Sequence, residues 1–219
     1  MKDRDMKDRM YIPLISCVMI TYKRKKYVKE SIKMFQKQDY KNKELIIIDD
    51  SPKRMEQLSE KNVKYYHLPQ KKSIGEKRNI GVKKSKGEII IMWDDDDIYS
   101  KDRIRHQVED IINGKYDMSV YKDIYYYIED EKRIKETSKR DKYILWWKGI
   151  LSGSIAFKKG IWEKNKYEDI NLAEDREFIK KCLKDGYKLK KLKQNKENYK
   201  YLYRRHKNNT YKFNNIILL

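Results

Sequence analysis

The chain has 219 residues, with 54 Lys+Arg against 34 Asp+Glu, a net charge of +20, and only two cysteines. That length fits one large domain, and no Pro/Gly/Ser-rich linker divides it. No apolar run approaches the roughly 18 residues of a membrane span, and Cys17 and Cys182 sit apart in apolar segments, which argues against a disulfide scaffold and for a soluble protein of a reducing, cytoplasmic setting.

Residues 1–10 repeat Met-Lys-Asp-Arg without an apolar face and read as a disordered arm, leaving 11–219 as a single domain. Ile15–Thr21 is the first strand, placed after Pro13 and followed by a Thr21-Tyr22-Lys23-Arg24 turn. A helix is predicted from about Lys26 to Gln38, with Val28, Ile32 and Phe35 on one face. The second strand, Glu44–Asp50, ends in carboxylates and is stopped by Ser51-Pro52. A short strand follows over Val63–His67, then a helix over Ser73–Ser85. That helix feeds Ile89–Trp93, an apolar strand that breaks into four consecutive carboxylates, Asp94–Asp97. The next helix, Lys101–Asn113, is expected to bury Ile104, Val108, Ile111 and Ile112.

Strand and helix alternate through this half, which implies a parallel sheet with right-handed crossovers. Such sheets bind ligands at their carboxyl edge. Ordinary core packing does not explain why two separate strands end in Asp pairs. Adjacent anions repel and need water or a cation, so the alternatives are a solvated acidic loop and a metal site.

The second half is less regular. Met118–Ile128, rich in tyrosine, reads as one or two antiparallel strands. Lys142–Ser154 carries Trp146, Trp147 and Gly153, a composition that suits core packing or a sugar-stacking surface. A short strand over 155–157 and a short helix over 159–164 precede a longer helix that ends at Gly186 and buries Phe178, Ile179, Cys182 and Leu183. Glu174 and Asp175 fall at its start, where they either cap it and offset its dipole or do chemistry. Tyr187–Leu192 and Tyr199–His206 read as closing strands, and the apolar end Ile216–Leu219 is expected to dock on the domain or on a second copy of the chain.

The order of these pieces resembles the inverting family 2 glycosyltransferases of the GT-A fold, over roughly residues 14–206. Ile15–Arg24 looks like that family's first strand and nucleotide turn, and Glu44–Ser51 like its second strand. Gly75-Glu-Lys-Arg-Asn-Ile-Gly81 leading into Gly87–Asp97 looks like its Arg-Asn helix and Asp-X-Asp strand. Ala173-Glu-Asp175 looks like its catalytic element, and Arg204–Thr210 like a late His-containing segment. Each match alone is weak, but the five occur in order.

The resemblance implies an α/β GT-A architecture, with 11–113 as the nucleotide-sugar half and 114–219 as the acceptor and catalytic-base half. It implies Thr21, Tyr22 and Asp50 on the nucleoside and Arg78 near the base or diphosphate. Asp94, Asp95 and Asp96 would form the Asp-X-Asp window, with a register uncertain by one residue. Asp96 is the expected ligand of Mn²⁺ or Mg²⁺, with His206 as a further candidate, and Asp175 is the expected general base. The donor would be a nucleotide-diphosphate sugar, UDP favoured, and the acceptor a carbohydrate or a protein- or lipid-linked hydroxyl. A nucleotidyltransferase would use similar aspartates but gives no reason for Glu174-Asp175. A nucleic-acid-binding protein would gather its cations beside aromatics on one element, whereas here the cations are dispersed and the acids cluster.

Overall fold

The three apolar runs of the first half become the middle of a seven-stranded sheet in the computed structural model, which describes residues 11–55, 58, 60–123, 125–136, 150–207 and 209. Its strands are β1 (Ile15–Thr21), β2 (Lys43–Asp49), β3 (Val63–His67), β4 (Ile89–Met92), β6 (Met118–Tyr121), β9 (Leu151–Lys158) and β10 (Leu189–Leu192). They stand in the order β10-β6-β9-β4-β1-β2-β3. Only β9 runs against its neighbours β4 and β6; the other pairings are parallel. A smaller sheet combines β5 (Ile98–Tyr99), β11 (Tyr201–Arg205), β7 (Tyr125–Ile128) and β8 (Arg133–Glu136), in the order β5-β11-β7-β8. The arm at 1–10, Trp146, Trp147, Thr210 and the apolar end 216–219 lie outside the described residues.

The sheet is covered on both faces, so its central strands are apolar throughout. Cys17, Met19, Leu45, Ile47 and Ile91 pack on one side with Val28, Ile32 and Phe35 of α1 (Lys25–Gln36) and Ile104, Val108 and Ile111 of α3 (Arg103–Ile112). Val18, Ile90, Met92 and Phe157 pack on the other with Val82 of α2 (Ile74–Lys84), Ile161 of α4 (Lys159–Lys164) and Phe178, Ile179 and Cys182 of α5 (Glu174–Lys184). The two cysteines are therefore free and buried on opposite faces.

Three expectations change. Ile112 is 37% exposed, because the helix has rotated past the stripe set by Ile104, Val108 and Ile111. The tyrosine-rich stretch forms β6 and β7, but these join different sheets and do not pair with each other. The strand expected over 155–157 runs from Leu151, because β9 pairs on both sides, with β4 and β6. Among the described residues, no helix is long and apolar enough to cross a membrane.

α2 carries the most complete local signal. Ser73 Oγ accepts the Glu76 N–H at 3.0 Å, and the Glu76 carboxylate accepts the Ser73 N–H at 3.4 Å, a reciprocal capping box. Ser73→Ala is expected to cost about 1 kcal/mol, read as a melting temperature about 2–4 °C lower.

Candidate active site

The parallel register brings three chain ends to one edge. Thr21 pairs with Asp49, Val18 pairs with Met92, and Trp93 N–H donates to Val18 O at 2.9 Å. Beyond Trp93 the four aspartates separate. Asp97 turns inward, accepting the Tyr201 hydroxyl and, at 2.9 Å, the Arg204 N–H. Asp95 also turns inward, taking the Thr21 hydroxyl at 2.5 Å and Arg24 Nη1 at 3.0 Å. Burial raises both: Asp97 stands well above the usual carboxylate range, and Asp95 is pushed up to about 7, with the Asp96 charge as its second cause. Asp94 stays partly exposed at the open edge, whereas Asp96 is buried. Asp96 Oδ2 meets Arg24 Nη1 at 2.8 Å, His206 Nε2 at 3.0 Å and Asn209 Nδ2 at 3.4 Å. Asp94 Oδ1 lies 3.7 Å from Arg78 Nη2.

Behind this turn sits a fully buried cation. Arg103 Nη2 donates to Met92 O at 2.7 Å, and its guanidinium lies 4.2–4.9 Å from the ring centres of Trp93, Tyr99 and Tyr201. One group thus fixes the end of β4 and the tyrosine that holds Asp97.

On the β2 side, Asp50 is closed off: it accepts Lys77 Nζ at 2.8 Å and the Lys72 N–H at 2.9 Å. A pocket of about 560 Å³ opens beside it, lined by Thr21, Lys23, Arg24, Asp49, Ser51 and Arg54 among others. The pocket shares Thr21 and Arg24 with the aspartate turn. Tyr22 is not among the residues lining it; the ammonium groups of Lys71 and Lys23 lie 4.8 and 5.2 Å from its ring centre.

On the other side, α5 begins after Ala173, whose φ of 64° is left-handed and which makes no side-chain cap. Neither Glu174 nor Asp175 is the N-cap, but both lie in the acidic first turn, where they offset the helix dipole. Glu174 takes Arg78 Nε at 2.9 Å, with both side chains buried, and Asp175 Oδ1 accepts its neighbour's Arg176 N–H at 2.7 Å. Desolvation, then the charge of Glu174, pushes Asp175 up to about 7. Arg78 is therefore drawn to the acidic residues of α5 and to Asp94, whereas Lys77 beside it holds Asp50. Sequence reasoning singled out neither Lys77 nor Arg24. Both stood in motifs already quoted, but their partners are set by the fold.

A family model for glycosyl transferase family 2 matches residues 16–172. The chain belongs to glycosyl transferase family 2. This family 2 glycosyltransferase is 29% identical over 196 residues to an uncharacterized glycosyltransferase of Methanocaldococcus jannaschii, covering 80% of this chain and 67% of that one. It is 34% identical over 106 residues to one of Haemophilus influenzae, covering 45% and 42%. The solved structure of S. aureus TarS 1-349 with UDP-GlcNAc shares its fold, with a TM-score of 0.68 at 19% identity, over 90% of this chain and 60% of that one. The mannosyltransferase PcManGT of Pyrobaculum calidifontis, solved with GDP-Man and Mn²⁺, gives 0.63 at 14%, over 84% and 56%. The chain thus spans less than two thirds of those solved chains, and 42% of the H. influenzae relative. Membership favours the glycosyltransferase reading over the nucleotidyltransferase alternative.

Asp96 and His206 offer two of the donors a divalent cation takes, but Asp96 Oδ2 is also held by Arg24 Nη1 at 2.8 Å, a contact a cation would have to displace. Asp96 and His206 bring a carboxylate oxygen and an imidazole nitrogen together at 3.0 Å. No group of three or more His, Cys, Asp or Glu is placed to hold a metal ion among the described residues. A cation here would take its other ligands from phosphate oxygens and water, as hard divalent ions bound with nucleotides do.

Proposed function

We propose that this glycosyltransferase moves a sugar from a nucleotide-diphosphate sugar to an acceptor hydroxyl by one inverting displacement, with Asp175 as general base. The observation that carries this reading is that Asp94 and Asp175, from opposite sides of the edge, meet at Gly153 of β9. The donor's diphosphate end would lie toward Arg24 and the pocket, with Thr21 and Tyr22 beside the nucleoside. Asp175 accepts the proton of the attacking hydroxyl. The electron pair of the breaking bond leaves on the diphosphate, which would have to draw Arg24 from its ion pairs with Asp95 and Asp96 to gain that charge. One displacement from the face opposite the leaving group inverts the anomeric centre.

Asp96 with His206 would hold Mn²⁺ or Mg²⁺, which when bound supplies Lewis-acid stabilisation of the leaving diphosphate. UDP is the favoured nucleotide, supported by TarS, solved with UDP and with UDP-GlcNAc. In this reading 11–113 binds the donor and 114–219 supplies the base and the acceptor site. Asp50, locked to Lys77, reaches the nucleoside only if that pair opens, and Asp49 on the pocket wall is likewise held, by Ser51 and Tyr65.

The test is thermal stability with UDP, GDP, dTDP or CDP, with and without Mn²⁺. A ligand at 100 times its dissociation constant adds about 2.7 kcal/mol. One nucleotide is expected to raise the melting temperature by several degrees only when Mn²⁺ is present. Asp96→Ala is expected to erase the metal-dependent part. An unchanged shift in that variant would place the cation elsewhere.

A further inference from the structure

Arg103 is buried where an apolar side chain would pack at lower cost. It is 0% exposed. Among the described residues no carboxylate pairs with it, and its Nη1 has no hydrogen-bond partner. A charge buried without a countercharge costs free energy, and Leu or Met would fill much of the same volume without that cost. What the cation gains lies around it. Nη2 donates to Met92 O at 2.7 Å and Nε to Gln107 Oε1 at 3.2 Å, and Gln107 Nε2 donates in turn to Ser154 O of β9. The guanidinium also lies against the rings of Tyr99 and Tyr201, at 4.2 and 4.9 Å from their centres. These two tyrosines are register partners across β5 and β11, and their rings meet edge to face with centres 5.4 Å apart. Their hydroxyls reach opposite ends of the aspartate turn. Tyr99 donates to Asp94 O at 2.9 Å, and Tyr201 donates to the Asp97 carboxylate. Asp95 and Asp96 lie between those ends.

We infer that Arg103 is a positioning residue for the transfer: through the Tyr99 and Tyr201 rings that rest on it, it fixes both ends of the Asp94–Asp97 turn and so holds Asp96 in place between them. This rests on the reading of Asp96 as the metal ligand. A cation attracts the faces of aromatic rings, and a ring held in one orientation aims its hydroxyl in one direction. The guanidinium fork adds a second tie, because the same side chain holds the end of β4 directly and β9 through Gln107. Without the two hydroxyls, the turn ends keep weaker holds: Ser31 Oγ donates to Asp94 O at 3.4 Å, and the Arg204 N–H donates to Asp97 at 2.9 Å. Partners one step removed from a metal ligand typically change metal affinity or activity by about 10–100-fold when lost.

The experiment measures UDP affinity by titration calorimetry with and without Mn²⁺, and UDP release from UDP-glucose and UDP-N-acetylglucosamine with water as acceptor. If another nucleotide wins the thermal screen, it replaces UDP throughout. Tyr99→Phe/Tyr201→Phe keeps both rings on the cation and removes only the hydroxyls. It is expected to bind UDP alone as the wild type does, and to lose at least about tenfold of the enhancement that Mn²⁺ gives. Its kcat should fall about 10²-fold, the scale of an ångström's misplacement, with a smaller change in KM. Arg103→Met should show the same split, and added to the tyrosine pair its effect should be less than multiplicative, since all three act on one turn. Arg103→Lys should fall between Arg103→Met and the wild type, because an ammonium keeps the charge at the rings but not the fork. If Arg103→Met does not fold, the tyrosine pair and Arg103→Lys decide. Wild-type enhancement and turnover in the tyrosine pair would overturn the inference. So would fully multiplicative effects, or an equal loss of UDP affinity with and without Mn²⁺, which would make the cluster structural. Asp96→Ala separates the two readings: if Mn²⁺ enhances UDP binding there as in the wild type, the assignment of Asp96 itself has failed.

Discussion

Asp175→Asn is expected to abolish transfer, leave nucleotide binding intact, and make the ligand-free protein more heat-stable above pH 7. A positioned general base contributes about 10²–10⁴-fold, so the residual rate should lie that far below wild type. The nucleotide pocket, lined by Lys23, Ser51 and Arg54 among others, does not include Asp175, so the UDP shift should persist. The pH dependence follows from the raised value of about 7, caused by desolvation and then by Glu174. Only the deprotonated carboxylate can take a proton, so the wild-type rate should rise through about pH 7 and then level. Stability runs the other way. The folded state holds the Asp175 proton more tightly than an unfolded chain, where a carboxylate titrates near about 3.9. The stabilising contribution is complete below that value and is lost as pH rises through about 7. At pH 8 the wild type carries a desolvated charge there that asparagine removes, a gain of about a few degrees in melting temperature. At pH 5, where the folded acid is protonated but an unfolded one is mostly ionised, the gap should be smaller, and it should close only at about pH 4 and below. Melting curves at these pH values, with UDP release as the rate, check every part. Near wild-type transfer in the variant would mean that Asp175 is not the base.

The parts of this fold that were legible are those written in local periodicity. The apolar runs 15–21, 44–48 and 89–92 are long enough, and β-branched enough, to be strands whatever surrounds them. The Ser73–Glu76 box marks a helix start within four residues. What stayed illegible depends on pairing across the chain. Tyr121 and Tyr125 are close in sequence, yet they enter separate sheets because β10 claims one strand and β11 the other. The four aspartates could not be told apart as text. Their roles divide when Thr21 and Arg24 arrive at Asp95, Arg24 and His206 at Asp96, and Tyr201 and Arg204 at Asp97, from both ends of the chain, which leaves Asp94 the most exposed of the four. Asp50 was a reasonable nucleoside contact on its position, but Lys77 lies one turn into a distant helix and nothing in the spacing announces that pair. Gly153 carried the least signal of all, since one glycine beside a tryptophan pair looks like packing until the two carboxylates are placed around it.

Arg78→Met should be the most destabilising substitution in the site, and it should damage activity by the same cause. Arg78 and Glu174 are each 5% exposed and meet at 2.9 Å. Burial alone would lower the affinity of Arg78 for its proton, yet Glu174 and Asp94 more than reverse this and hold it firmly charged. Removing one partner of such a pair leaves the other charge desolvated and unanswered, a loss of about 3–5 kcal/mol. Denaturant unfolding of Arg78→Met should show that loss. The double variant Arg78→Met/Glu174→Gln should recover part of it, since the stranded charge is then gone. An interaction energy of about 0.5–3 kcal/mol in the cycle is the expected coupling, and simple additivity would mean the pair is not what joins α2 to α5. Arg78→Lys should not rescue the protein fully, because an ammonium is a point charge and cannot reach Glu174 and Asp94 with separate nitrogens. The functional loss follows from the same geometry. Arg78 lies between the donor-side carboxylate and the helix that carries the base, so its loss lets Asp94 and Asp175 drift relative to Gly153. Turnover should then fall more steeply than UDP affinity, which depends on the pocket at Thr21, Lys23 and Arg24. Equal losses in both would instead place Arg78 in direct contact with the nucleotide.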